Sequence, residues 1–245
     1  MSSTFFSPPP NVGWFDVAKT CLRLLCFRAT QSELVQLNWK HFVFGVCCTW
    51  IVGVGRYWDN PRVGLLQHLG VGSVVYIFIL STFLWLIIYP MRPEHWSWLR
   101  VLTFVSLVSP PAILYAIPVE KIYPLPTANA INAWFLAIVA AWRVMLLFFF
   151  IRRLGNLDWF SIVISALLPL TMIVVTLTVL NLEKVVFDLM GGLVNPSGND
   201  TAYAILMWLT FISILLFIPI LICYLSLAIF KSRSRERTPR QTHDL

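Results

Sequence analysis

Arg143 raises the first chemical question, because it is the one clear charge inside a stretch predicted to cross a membrane, Ala128 to Ile151. A guanidinium in hydrocarbon is costly, and residues of this kind face a bundle interior, pair, or mark the path of an ion or substrate. Arg143 precedes Arg152 by nine residues, which at about 1.5 Å per residue places it about 13 Å inward, near the limit of what a long side chain escapes by snorkelling. No acidic residue lies in another predicted span. The partners open to it are carbonyls freed at Pro110 or Pro169, the hydroxyls of Thr171, Thr176 and Thr178, a lipid phosphate, or a bound anion. An arginine near mid-depth suits an anionic substrate; the alternative is a bundle-facing residue that reaches the inner interface.

A second constellation runs from Gly53 to Arg62, with Arg56, Tyr57, Trp58 and Asp59 in succession and Asn60-Pro61 after them. Arg56 and Asp59 are one turn apart and able to pair, Tyr57 and Trp58 suit the headgroup level, and Gly53 and Gly55 permit close helix approach. The segment reads either as a ligand or headgroup site or as an interfacial anchor with a helix stop at Asn60-Pro61. The remaining candidates are helix breaks: Pro110 with Pro111, Pro169 and Pro219 each fall within an apolar run. Proline removes a donor and kinks or ends a helix, and broken helices line transporter sites, although ordinary membrane helices tolerate proline as well.

Other chemistry is mostly excluded by type and spacing. His41 and His95 map to one side, His68 to the other and His243 to the tail, so no metal site and no cofactor is expected. Metalloprotease motifs, nucleophile elbows and phosphate-binding glycine loops do not occur, and no aspartate lies in a well-defined span. Catalysis is therefore disfavoured. Cys21, Cys26, Cys47, Cys48 and Cys223 have no metal spacing and imply no disulfide framework. Cys21 and Cys26 are open to lipidation at a membrane surface, or simply to packing.

The elements that must position these residues follow from composition. Of 245 residues 58% are hydrophobic and 12% charged, with mean hydropathy +0.78, whereas soluble domains are about a quarter charged. The expected fold class is an all-α polytopic integral membrane helix bundle, with about six transmembrane helices and an N-terminal interfacial amphipathic helix. The predicted spans are 42–57, 69–89, 98–117, 128–151, 159–181 and 202–230, within a transmembrane domain 41–230 that follows a cytoplasmic arm 1–40 and precedes a basic tail 231–245. The first span is short and reaches crossing length only with His41 and Tyr57 at the interfaces. Met1 to Pro10 reads as a disordered arm rather than a signal peptide. Trp14 to Phe27 reads as a helix on an anionic surface or packed on the first loop, with Lys19 and Arg23 one turn apart. Asn129 and Asn132 are expected to be solvated at the start of their span, beside Trp134. Leu182 to Met190 is expected to lie on the far surface, and Asn199-Asp200-Thr201 matches the glycosylation acceptor pattern.

Charge decides orientation. With six spans and both ends inside, thirteen of the eighteen basic residues lie inside: Lys19, Arg23, Arg28, Lys40, Arg92, Arg100, Arg152, Arg153, Lys231, Arg233, Arg235, Arg237 and Arg240. The positive-inside rule favours this arrangement. The net charge of +7 thus points to a membrane surface and not to nucleic acid. Short loops favour a bacterial inner membrane.

The short-loop, six-span layout with a cytosolic arm is loosely similar to the Yip family of multipass trafficking proteins, Tyr115-Ala116-Ile117-Pro118 being the nearest local echo. That resemblance implies architecture and a trafficking role, and it carries over no residue. Three functional classes follow. The first is a noncatalytic membrane component acting in assembly, trafficking or sensing through anionic lipids, membrane protein partners or a second copy of itself. The second is a transporter, channel or lipid transfer protein for an anionic substrate using Arg143. The third, with least support, is an interfacial enzyme.

Overall fold

The computed structural model describes residues 12–57, 65–182 and 201–236. The described residues form helices without a strand: α1 (Trp14–Leu25), α2 (Gln31–Val35), α3 (Trp39–Tyr57), α4 (Leu65–His68), α5 (Val71–Ile88), α6 (Trp98–Leu107), α7 (Leu125–Gly155), α8 (Trp159–Val179) and α9 (Thr201–Glu236). Five apolar stretches are long enough to cross a membrane, Val71–Met91, Trp98–Ala116, Pro126–Gly155, Trp159–Val179 and Ala204–Arg233. Trp39–Gly55 is a shorter apolar helix. The chain is an all-helical membrane bundle.

Local chemistry explains where these rods begin and end. Asp158 caps α8 by accepting the Ser161 N–H at 2.9 Å, and Ser97 caps α6 by accepting the Arg100 N–H. Asn156, in the left-handed region at φ 46°, turns the chain out of α7. At about 1.5 Å per residue, the 31 residues of α7 and 36 of α9 reach roughly 46 and 54 Å, so both extend beyond a hydrocarbon core of about 30 Å. Pro169 and Pro219 lie inside α8 and α9, each of which runs through its proline as one element.

The helices alternate in direction, and their contacts show it. Gly45 lies against Ser106 and Gly55 against Ala116, so α3 runs parallel to the segment that starts at Trp98. Gly53 lies against Gly70 and Ser73 at the start of α5. Close approach at Gly53 and Gly55 accords with the glycine argument, while the tighter contact at Gly45 had no sequence signal. One end of the bundle gathers the starts of α3, α6 and α8 with the ends of α7 and α9. There the Lys231 ammonium donates to the Met91 carbonyl (3.2 Å) and the Ser161 hydroxyl (3.1 Å) and stands 3.8 Å from Asp158. At the same end the Glu94 N–H donates to the Gly155 carbonyl, and the Arg100 guanidinium donates to the Val35 and His95 carbonyls. A continuous core of α3, α5, α6 and α7 side chains includes Phe104 stacked on Phe150 at 4.1 Å.

Several expectations are corrected. Asn129 and Asn132 are not solvated: they are 3% and 8% exposed, and neither is without a partner. An apolar membrane makes a protein-facing amide cheaper than a lipid-facing one, which is why the first turns of α7 bury them. Trp134, in contrast, is exposed. The amphipathic helix α1 turns its face of Val17, Thr20, Cys21 and Leu24 to protein, leaving Trp14, Phe15 and Leu22 exposed. The expected helix over Leu182 to Met190, the Asn199-Asp200-Thr201 pattern, the Met1 to Pro10 arm and the end of the basic tail fall wholly or largely outside the described residues.

Candidate functional site

The site is built on the broken third span. Two consecutive prolines, Pro110 and Pro111, lack the N–H groups that would continue α6, so the α-helix ends at Leu107 and the chain tightens into a 3₁₀ segment, Pro110–Ala116. The carbonyls that lose their usual donors are those of Ser106, Leu107 and Val108. A buried carbonyl left unpaired costs about 1–3 kcal/mol.

Each of the three is met by a side chain from a different helix. From α3, the Thr49 hydroxyl lies 3.2 Å from the Ser106 carbonyl and 2.9 Å from the Gly45 carbonyl one turn back, its single proton serving one at a time, while the Ser106 carbonyl also accepts the Ser109 N–H at 3.4 Å. From α1, the Cys21 thiol donates to the Leu107 carbonyl at 3.7 Å. From α7, Arg143 Nε–H donates to the Val108 carbonyl at 3.3 Å. Burial, and then the neighbouring Cys48 thiol, pushes the Cys21 thiol from 9.0 up to about 12, so it keeps the proton it donates. Thr49 also stands 2.7 Å from the Ser109 hydroxyl, joining the two sides of the break.

Arg143 therefore bonds inside the bundle at the level of the helix break. Among the described residues the ion pairs are Arg23 with Glu33 and Lys231 with Asp158, and neither involves Arg143. Arg143 lines a cavity of 180 Å³ walled by α5, α6, the 3₁₀ segment with Ser109 before it, α7 and α8. The walls are apolar apart from Tyr76, Ser109, Tyr115 and Arg143 itself, with Leu80, Val105, Val139 and Leu147 typical of the rest. Tyr76 is near enough to Arg143 to feel its charge, and as a residue it is 45% exposed on the flank of α5. Pro169 also lines the cavity, so the structure brings Arg143, Pro169 and the residue before Pro110 together.

Other candidates do not join this cluster. Pro219 does not line the cavity, and its helix α9 is held by the Tyr224 hydroxyl, which donates to the Ile87 carbonyl at 2.7 Å. Arg56 and Tyr57 lie in the last turn of α3, but their side chains and Asp59 fall outside the described residues. Thr171 and Thr178 do not reach Arg143. Their hydroxyls bond carbonyls one turn back in α8, Leu167 with Leu168 and Val174, as is common for threonine in helices. Ser165, one turn before Pro169, carries a buried hydroxyl without a hydrogen-bond partner.

The residues missed from the sequence are Thr49, Tyr76 and Trp142. Trp142 Nε1–H donates to the Leu25 carbonyl at 3.1 Å, where α1 ends, and its ring lies 5.8 Å from that of Phe27. Phe27 adopts φ 59°, an unusual conformation for a bulky residue, and is wedged between Trp142 and Phe149. Neighbouring residues 142 and 143 thus hold the end of α1 and the helix break respectively. Cys21 is packed in the core while Cys26 is exposed. Among the described residues no group of histidine, cysteine or carboxylate side chains has metal-holding geometry.

No family model, curated protein or solved structure matches this chain. The likeness to the Yip family accordingly rests on layout alone.

Proposed function

We propose that this membrane protein is a noncatalytic component acting in assembly, trafficking or sensing through lipid or protein partners. The observation that supports the reading best is the use made of polar side chains around the cavity. Thr49, Cys21 and Arg143 are engaged in bracing backbone carbonyls, and the space beside them is apolar. Such a site favours holding a ligand over transforming one. The clustering of Arg92, Arg100, Arg152, Arg153 and Lys231 toward one end of the bundle supports a cytosolic placement of that end, with both termini on the same side. Placement in a bacterial inner membrane is part of the same proposal.

The test is purification of the full chain after cross-linking in intact membranes, paired with flux measurements in proteoliposomes. A stable copurifying protein or lipid without substrate-dependent flux is the expected result. Saturable flux of an organic anion, abolished by Arg143→Ala, would instead establish the transport reading, which the cavity between the Pro110 break and Pro169 favours.

A further inference from the structure

We propose that the cavity beside Arg143 binds a single-chain anionic amphiphile, with its phosphate or carboxylate head on the guanidinium and its acyl chain against the α5 and α7 walls. The proposal rests on the lipid-partner reading above and names the chemistry of that partner.

Three observations converge on this occupant. The first is charge. Arg143 is partly buried, and the bond described for it is to one neutral carbonyl through Nε, which leaves the positive charge without an anion among the described residues. A guanidinium removed from water is stabilised far better by a bidentate oxyanion than by a carbonyl. Arg143 lines the cavity, so an anion seated there can reach it. Tyr76, in electrostatic reach of the same guanidinium, also lines the cavity.

The second is the wall. Away from Arg143 the lining is aliphatic and aromatic, including Ile77, Leu80, Leu136 and Val139, a surface that a hydrated inorganic anion cannot exploit. The third is size and placement. A cavity of 180 Å³ exceeds only slightly the roughly 150 Å³ that accommodates a benzene ring, so it takes a head with the first few carbons and not a whole lipid. The remaining chain has a path along the exposed flank of α5, where Tyr76 is 45% and Ile79 65% exposed. A cavity of this size that holds a head and one run of carbons has no room for a second chain, which favours a single-chain amphiphile.

The proposal is tested by equilibrium binding of tritiated oleoyl lysophosphatidate to the full chain in nanodiscs of neutral phosphatidylcholine. Binding should saturate in the wild type and weaken at least about tenfold in Arg143→Gln, the loss expected for a charge-assisted hydrogen bond. Ala140→Phe, which fills the cavity and leaves the guanidinium in place, should abolish binding, and it decides the matter if Arg143→Gln does not fold. Unlabelled lysophosphatidate should compete, while monooleoylglycerol and inorganic phosphate should not. Unchanged binding in a folded Arg143→Gln or in Ala140→Phe would overturn the site. Equal competition by monooleoylglycerol would overturn the role of the charge, and competition by inorganic phosphate at equal concentration would overturn that of the chain. A failure here leaves partner copurification unaffected, whereas failure of the broader reading would appear as substrate flux.

Discussion

Replacing Gly45 by alanine should destabilise the bundle at the helix crossing that supports the broken span. A Cβ built on Gly45 would lie 2.8 Å from Ser106 Cβ and 2.9 Å from the Ser106 carbonyl carbon, with the Ser106 hydroxyl oxygen closer still. One of these is backbone and cannot rotate away, so α3 and α6 must separate. Overpacking of this kind costs about 1–3 kcal/mol, partly offset by the roughly 1 kcal/mol by which alanine exceeds glycine as a helix former. Gly72 is the internal control, because a Cβ there meets nothing within 4 Å and only the propensity gain remains. The two substitutions should therefore differ by about 1–3 kcal/mol, or several degrees in thermal midpoint for a domain of this size. The assay is thermal unfolding of both variants in one detergent, with Ser106→Gly added to complete a double-mutant cycle. Ser106→Gly alone loses the hydroxyl bond to the Thr103 carbonyl (2.8 Å) and destabilises, but in the Gly45→Ala background it should recover part of the loss, since one clash is with backbone. Equal midpoints for Gly45→Ala and Gly72→Ala, or zero coupling in the cycle, would refute the close crossing.

Two other outcomes are accessible to the same preparation. Trp142→Phe keeps the ring against Phe27 but strands the Leu25 carbonyl, a loss of about 1–2 kcal/mol, so amides across Trp14–Leu25 should exchange hydrogen faster; unchanged protection would show that the bond does not hold α1. The Ser161 N–H foremost, then the Ser161 hydroxyl and Lys231, hold the Asp158 carboxyl below its ordinary 3.8. Because the folded value is the lower one, its stabilisation is present above pH 3.8 and is lost as pH falls through the folded value; the wild type should lose more stability across that window than Asp158→Asn, and parallel pH profiles would contradict this.

The sequence by itself determined that the chain is a bundle of apolar rods, because in lipid each helix must satisfy its own backbone and a span is therefore a local property. It also located the break, since Pro110 and Pro111 lack donors whatever surrounds them. Arg143 was legible as a problem for the same reason, being a charge in an apolar run. Tertiary structure alone decided the solution. Val108 is 35 positions from Arg143, Ser106 is 57 from Thr49 and Leu107 is 86 from Cys21, and no periodicity within one helix relates donors to acceptors at such separations. Asn129, Asn132 and Thr171 show the same limit. Their polarity was plain, but whether each turned to water, to its own helix or to a neighbour depended on which face the packed bundle covered. The cavity likewise belongs to no single segment: it exists where five elements fail to close around a guanidinium.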